Sequence, residues 1–151
     1  SDTNQGGAFM NEYTYDDILI GMTESFKKRI TPEMEDAFRA ITGDENPLHK
    51  DDVYAVQVSG GKFERHVAFG MLTASLYSTV AGMYLPGKYS LIHSLENVDF
   101  KKPVFAGDEL FVTATVKDKQ DDLHLIILDV VIRNQNNKVV SKASMKVLVQ
   151  K

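Results

Sequence analysis

The chain has 151 residues, the length of one ordinary domain, which is enough to bury a sizeable core without cross-links. It contains no cysteine, which excludes disulfides, thiolate nucleophiles and cysteine-ligated metal sites and is compatible with a reducing compartment. The 17 basic and 21 acidic residues are interspersed and give a net charge of −4, which argues against a nucleic-acid or anionic-membrane partner. No apolar run approaches the roughly 20 residues of a membrane helix, so we expect one soluble, cytoplasmic domain.

The first residues differ in composition from the rest of the chain. Residues 1–9 are polar and glycine-bearing, with neither the basic nor the apolar segment of a signal peptide. Met10 stands where a natural start would stand. We therefore interpret residues 1–9 as an expression leader or a disordered tail, and we assign residues 10–151 to the domain.

Helical signals dominate the first half of that domain. A short strand over residues 24–30 precedes a helix start at Thr31, whose hydroxyl caps the first turn while Pro32 takes the first helical position. Gly43 ends this helix. Apolar residues recur at helical spacing along it and are expected on its buried face: Met34, Ala37, Phe38 and Ile41.

Two further helices are predicted. A short one covers residues 51–57, and residues 59–61 (Ser-Gly-Gly) form a flexible connection. The most apolar helix runs from residue 70 to about residue 84, with Pro86 and Gly87 ending it. Its apolar residues surround most of the circumference, which is typical of a helix in the middle of a domain. Residues expected in the core at helical spacing, some of them also lining a pocket, are Met71, Leu72, Leu76 and Val80.

Strands make up the second half. Alternating apolar and polar residues predict strands over 89–100, 109–119, 123–133 and 139–149, and turn-forming residues stand at 121–122 and 134–137. Together with the early strand they predict the α+β class: a single curved antiparallel sheet wrapped around one buried helix.

The loop over residues 43–49 (Gly-Asp-Glu-Asn-Pro-Leu-His) carries the strongest chemical signal. Pro47 stiffens the turn, so that Asp44 and His49 can converge on one water molecule. At neutral pH a carboxylate accepts a proton, and a neutral imidazole has one acceptor and one donor nitrogen, which is what general acid–base catalysis requires. The alternative is structural: Asp44 caps the following turn and His49 packs beneath it.

The start of the apolar helix is the second candidate. Its free N–H groups carry partial positive charge, and Gly70 permits close approach of a ligand carbonyl. The Gly70 N–H would then stabilise a developing enolate oxygen. The alternative is that Gly70 lets the helix pack closely on the sheet.

Residues 38–51 (Phe-Arg-Ala-Ile-Thr-Gly-Asp-Glu-Asn-Pro-Leu-His-Lys-Asp) resemble the hydratase-2 motif of the MaoC-like (R)-specific enoyl-CoA hydratase/dehydratase family. The resemblance continues, in order, through residues 67–72, 85–87 and 98–110. It implies a hot-dog fold, in which an antiparallel sheet wraps a long central helix, and a homodimer or dimer-based oligomer with one continuous sheet. It also implies an acyl-CoA or an acyl carrier protein thioester as substrate, with no metal and no redox cofactor.

The resemblance also implies roles for individual residues. Asp44 and His49 would bind the water that is added or removed, and Asn46 would support them through its amide. Gly70 would donate to the thioester carbonyl. Ser78 matches a serine that the family places on the central helix near the site.

One position departs from the family pattern. Relatives usually have histidine immediately before the helix-start glycine, where this chain has Phe69. The loop over residues 59–61 is also slightly longer than in short family members. Both differences lie beside the expected acyl entrance, so they bear on the substrate more than on the chemistry.

The other polar candidates carry weaker signals. His66, His93 and His124 share no metal-ligand spacing with His49, and the last two fall in predicted strands. The adjacent Lys101 and Lys102 would meet a CoA phosphate or an acidic carrier protein, or else form a solvated pair.

We therefore expect a hydro-lyase that hydrates a trans-2-enoyl thioester to an (R)-3-hydroxyacyl thioester, or catalyses the reverse. One alternative is a dehydratase for a branched, polar or dicarboxylic acyl thioester, which Phe69 favours. Another is a catalytically silent hot-dog subunit that binds an acyl thioester or a partner chain. A thioesterase is a fourth reading, although the Asp–His loop is not what thioester cleavage needs.

Overall fold

The computed structural model describes residues 9–151. The expected leader therefore lies outside the described residues, apart from Phe9, which is exposed. Across the described part, no helix combines the length and the hydropathy that a membrane span requires. The helices and strands, in chain order, are β1 (Thr23–Arg29), α1 (Pro32–Thr42), α2 (Asp52–Val58), α3 (Gly70–Thr79), β2 (Ser90–Phe100), β3 (Glu109–Gln120), β4 (Leu125–Arg133) and β5 (Val139–Val149).

The five strands form one antiparallel sheet in the order β1-β3-β4-β5-β2. Side chains of a strand point alternately to the two faces, so the apolar alternation determines which face is buried. In β3 the alternating apolar residues are all buried: Leu110, Val112, Ala114 and Val116. The α+β class and the hot-dog arrangement of sheet and helix are confirmed.

Helix α3 packs against one face of this sheet and shares its buried core cluster. Its residues Leu72, Leu76 and Tyr77 are buried, and each fully buried apolar side chain contributes about 1.5–3 kcal/mol to stability. The core prediction holds for Leu72, Leu76 and Val80 but is wrong for Met71, which is 63% exposed. Met71 lies on the side of α3 that the sheet does not cover, as do Ser75 and Ser78.

The end of the central helix differs from the prediction. The α-helix ends at Thr79, and residues Val80–Tyr84 form a π-helical turn in which the Leu85 N–H donates to the Val80 carbonyl over 2.8 Å. Gly82 lies inside this turn, and glycine weakens the preference for a regular α-helix. Gly87, as predicted, lies beyond the helix.

Helix α1 begins and ends as predicted. Thr31 Oγ1 accepts a hydrogen bond from the Met34 N–H (3.2 Å), and Gly43 adopts φ 74° at the C-terminus. Its predicted buried face is only partly right. Met34 and Phe38 pack against the core, whereas Ala37 is exposed and Ile41 is 81% exposed. The buried stripe of this helix is therefore narrow.

One of the two histidines predicted in strands, His124, does not lie in one. Strand β4 begins at Leu125, two residues later than predicted, and His124 lies in the preceding turn with φ 52°. Its ring stacks on Tyr15 at a centroid distance of 4.4 Å. His93 does lie in β2 and is exposed.

Candidate active site

The loop between α1 and α2 is held by its own side chains. The Asp44 N–H donates to Thr42 Oγ1 (3.2 Å), and Asp44 Oδ1 accepts from the Asn46 N–H (3.0 Å). Asn46 Oδ1 in turn accepts from the Leu48 N–H (2.9 Å) at the start of a 3₁₀ turn that ends with His49. Polar side chains that bond to nearby backbone in this way stabilise turns. The loop therefore holds Asp44 and His49 in a defined relation to each other.

The orientation of the His49 ring follows from its contacts. Nδ1 lies 2.8 Å from the Val67 carbonyl oxygen, which can only accept, so Nδ1 carries the proton. In a neutral imidazole Nε2 is then the acceptor, and no described residue hydrogen-bonds to it. The guanidinium of Arg39 donates to the His49 carbonyl oxygen (3.2 Å) and fixes the backbone beneath the ring. The geometry suits a general base at Nε2.

An apolar ring supports His49 from one side. Phe69 is only 2% exposed, and its ring centroid lies 4.4 Å from that of His49 and 5.1 Å from that of Phe38. The Arg39 guanidinium lies 5.6 Å from the Phe69 ring centroid. The residue that departs from the family pattern is therefore a packing support between the imidazole and α1.

The first turn of α3 presents unbonded N–H groups. Its N-cap residue, Phe69, makes no side-chain cap, and within the described residues no group accepts from the Gly70 N–H. The ring of Phe100 lies over this point, since a Cβ at Gly70 would be 3.5 Å from the ring. Such N–H groups are suited to binding an anionic or developing oxyanion ligand.

Two adjoining cavities meet at this helix start. The first, which we call the Asp44 cavity, has a volume of about 340 Å³. The second, the Lys102 cavity, has about 270 Å³. His49, Gly70 and Phe100 line both cavities, so that the ring of Phe100 stands between them. The other residues of the Asp44 cavity are Phe38, Thr42, Asp44, Phe69 and Met71.

The Lys102 cavity has a different character. Its floor is buried and mostly apolar, whereas Lys101 and Lys102 are exposed at its rim. Lys101 also pairs with Asp99 over 3.3 Å. The other lining residues are Phe63, Val67, Ala68, Thr73, Pro103, Val104 and Val140. A larger depression of about 450 Å³ lies along β2, β4 and β5, but it contains none of the predicted site residues.

The structure brings most of the predicted site residues together. Asp44, His49, Gly70, Phe69 and Met71 line one cavity. Three others do not line either cavity. Leu72 packs in the core and Ser78 is exposed further along α3, while Asn46 holds the turn that carries His49.

Sequence reasoning missed Phe100, Val67 and Thr73. Val67 and Phe100 fall within segments that resemble the family, and Thr73 stands three residues after Gly70 and therefore on the same helix face.

A partly buried charge cluster adjoins the segment that contacts His49. Glu35, 3% exposed in α1, and Asp52 in α2 both hydrogen-bond to the His66 ring, at 3.1 Å from Nε2 and 2.7 Å from Nδ1. Burial alone would lower the pKa of His66, but the bonds to Asp52 and Glu35 outweigh it and raise this pKa above its usual value. The bonds from the His66 backbone N–H and side chain lower the pKa of Asp52. His66 precedes Val67, so the cluster anchors the segment that orients His49.

Comparisons with known proteins point to one family. Residues 19–136 match the family described as MaoC-like domain. The (R)-specific enoyl-CoA hydratase of Aeromonas caviae is 38% identical over 105 residues, 70% of this chain and 75% of that protein. The 3-hydroxybutyryl-CoA dehydratase of Methylorubrum extorquens is 34% identical over 69% of this chain and 64% of its own length.

Solved structures agree with these matches. The structure of the (R)-hydratase from A. caviae superposes with a TM-score of 0.80 at 32% identity, over 87% of this chain and 97% of that chain. An R-hydratase from Pseudomonas aeruginosa superposes with a TM-score of 0.85 at 25% identity, over 94% of this chain and 88% of that one. The similarity thus extends over nearly the whole fold.

Proposed function

This chain belongs to the MaoC-like dehydratase domain family, and from that premise we propose that it is a hydro-lyase acting on enoyl thioesters. It adds water to a trans-2-enoyl thioester to give an (R)-3-hydroxyacyl thioester, or removes water in reverse. The names of its relatives in A. caviae and M. extorquens support this reaction and an acyl-CoA substrate. The observation that carries the proposal is the convergence of Asp44, His49 and the Gly70 N–H on one cavity.

The proposed chemistry is acid–base catalysis by side chains. A water molecule in the Asp44 cavity is held by the Asp44 carboxylate and gives a proton to His49 Nε2, while its oxygen bonds to C3 of the enoyl group. The electron pair of the C2–C3 double bond moves toward the thioester oxygen, which the Gly70 N–H stabilises. C2 then takes a proton from the Asp44–His49 pair. The net change is one water added, with no oxidation or reduction, and so the step requires no redox cofactor.

The two cavities give the thioester two directions in which to extend. The reacting carbons lie where the cavities meet, at His49 and Gly70. The lysines at the rim of the Lys102 cavity suit the phosphates of CoA or of a carrier-protein arm. The Asp44 cavity, lined by Phe38, Phe69 and Met71, is suited to an apolar acyl chain.

A second candidate differs only in the acyl group. Lys101 and Lys102 above an apolar floor would also receive the distal carboxylate of a dicarboxylic acyl thioester. In that case the acyl chain and the carrier exchange cavities. A panel of straight-chain, branched and dicarboxylic enoyl-CoA substrates distinguishes these two candidates. If the acyl group is dicarboxylic, the dicarboxylic compound should have the highest kcat/KM, and Lys102→Ala should abolish this preference.

We also propose that two copies of the chain pair along β2. This strand is an edge of the sheet and eleven residues long, and its Leu91, Ile92 and Leu95 are exposed. Long, apolar edge strands are templates for pairing with another chain. Light scattering coupled to gel filtration should therefore report twice the 16.9 kDa mass of one chain, and Leu91→Lys should lower it.

The direct test is the ultraviolet absorbance of crotonyl-CoA at its enone band. Purified wild type should remove this absorbance and His49→Ala should not, and chiral analysis of the product should give the (R) isomer. Release of free CoA thiol would instead identify a thioesterase. Binding of crotonyl-CoA without turnover would indicate that the chain is a catalytically silent subunit that binds acyl thioesters.

A further inference from the structure

One buried hydroxyl at the site has no partner. Thr73 lies in α3, is 2% exposed and lines the Lys102 cavity. No described residue hydrogen-bonds to its Oγ1. Burying a hydroxyl without a partner is destabilising, so nearly all such groups in native proteins are satisfied by protein, water or ligand.

Ser94 Oγ in β2 is also buried without a partner among the described residues, but two other helical hydroxyls are satisfied by their own helices. Ser75 Oγ donates to the Leu72 carbonyl (2.6 Å), and Thr42 Oγ1 donates to the Phe38 carbonyl in the manner common for helical threonines (3.0 Å). Thr73 makes no such bond to its own helix. The difference coincides with its position, because Thr73 is the hydroxyl-bearing residue of α3 that lines a cavity shared with Gly70 and His49.

The helix geometry sets Thr73 beside the Gly70 N–H. Residues three apart lie on one face of a helix, and side chains incline toward its N-terminus. The Thr73 side chain therefore leans toward the end of α3 at which Gly70 opens the helix, and both residues line the Lys102 cavity. A ligand oxygen held by the Gly70 N–H on this side would have the Thr73 hydroxyl as its nearest additional donor.

We propose that Thr73 Oγ1 donates a second hydrogen bond to the thioester oxygen, together with the Gly70 N–H. This inference rests on the proposed hydro-lyase function and adds a catalytic residue to it. As the water oxygen bonds to C3, the π electrons shift toward the thioester oxygen, and both donors stabilise the charge there. No proton leaves Thr73, and the electron pair returns when C2 is protonated. Since an enolate oxygen attracts donors more strongly than a carbonyl does, the bond acts mainly on kcat.

Three variants test this role. Thr73→Val keeps the shape and removes the donor, Thr73→Ser restores a hydroxyl, and Thr79→Val is a matched control on the same helix that lines neither cavity. We expect Thr73→Val to lower kcat for crotonyl-CoA by about 100-fold with little change in KM, the lower range for loss of one oxyanion donor. Thr73→Ser should recover most of kcat, and Thr79→Val should match wild type.

The thermal midpoint separates this role from a structural one. Without substrate, Thr73→Val should be as stable as wild type or more stable, because the hydroxyl has no bond to lose. If wild type is active and Thr73→Val has the same kcat, the proposal is overturned. The same holds if Thr73→Val keeps the kcat of wild type but has a lower thermal midpoint, which would indicate a structural role only.

The role of Thr73 can also be tested if the chain proves not to be a hydro-lyase. If wild type does not turn over crotonyl-CoA, calorimetric titration with acetoacetyl-CoA in its enolate form, which carries negative charge on the thioester oxygen, still reports on the Gly70–Thr73 pair. Affinity that falls about tenfold in Thr73→Val alone supports the second donor in a binding subunit. Equal affinity in the two proteins, or no binding by wild type, overturns it.

Discussion

The Nδ1 atom of His49 lies 2.8 Å from the carbonyl oxygen of Val67, and this bond determines which ring nitrogen faces the cavity. Since the carbonyl only accepts, Nδ1 keeps its proton and Nε2 is left to receive one. Val67 follows His66, whose ring is held by carboxylates from two helices. The imidazole of His49 is therefore oriented by a segment whose preceding residue is held by two helices.

The first prediction concerns Asp44 and His49, the two residues proposed to transfer protons. Asp44→Asn removes the carboxylate that holds water, and His49→Ala removes the base, so each variant should lose at least ~100-fold in kcat. Both side chains are outside the core, and the circular dichroism spectra should match wild type. Turnover near that of wild type in either variant would show that the Asp44–His49 pair does not catalyse the reaction.

The second prediction concerns the junction of the cavities. A methyl group at Gly70 would lie 3.5 Å from the Phe100 ring, an ordinary contact, so Gly70→Ala should fold normally. The methyl occupies the space where the thioester must approach, and kcat/KM should fall by ~10-fold or more. Gly82→Ala is the matched control, because a Cβ there meets nothing within 4 Å. Equal activity in both variants would place the substrate elsewhere.

The third prediction concerns the residue that departs from the family. Phe69→His introduces a polar ring among Phe38, His49 and the Arg39 guanidinium, at a position that is only 2% exposed. We expect a lower thermal midpoint, because the new ring nitrogens are buried without assured partners. We also expect a changed preference among acyl chain lengths. The ratio of kcat/KM for six-carbon and four-carbon substrates should change by about twofold or more. Should neither rate nor preference change, Phe69 is a packing residue only.

The fourth prediction follows from the raised pKa of His66. A histidine whose folded-state pKa is raised stabilises the fold fully below its unfolded value of 6.5, and this stabilisation is lost as pH rises through the folded-state pKa. The thermal midpoint should therefore decline above pH 6.5 in wild type, and more weakly in His66→Gln. Parallel pH profiles for the two proteins would contradict the assignment, and His93→Gln serves as the control for an exposed histidine.

Local signals predicted the site better than long-range ones did. The loop from Gly43 to His49 was predictable because proline, turn bonds and chain neighbours determine its geometry within seven residues. The start of α3 at Gly70 was likewise visible in the sequence. The exposed side of α3 could not be predicted, because apolar residues surround most of the helix. The sequence therefore predicts Met71 in the core, whereas the structure exposes it.

Contacts between distant segments could not be predicted. Phe100 lies thirty residues after Gly70 in the chain, and only the register of β2 against β5 brings its ring over the helix start. His66 meets Glu35 across 31 residues. The spacing of Glu35 and His66 along the chain does not show whether they form a buried pair or two separate solvated side chains, because only tertiary packing determines this.

Phe100 is the last residue of β2, whose outer edge pairs with no other strand among residues 9–151. The wall between the two cavities is thus mounted on the element by which two copies would join. If pairing stabilises β2, dilution that dissociates the dimer should lower the turnover per chain before any chain unfolds. Specific activity would then depend on protein concentration, and the assembly would regulate the enzyme without any additional ligand.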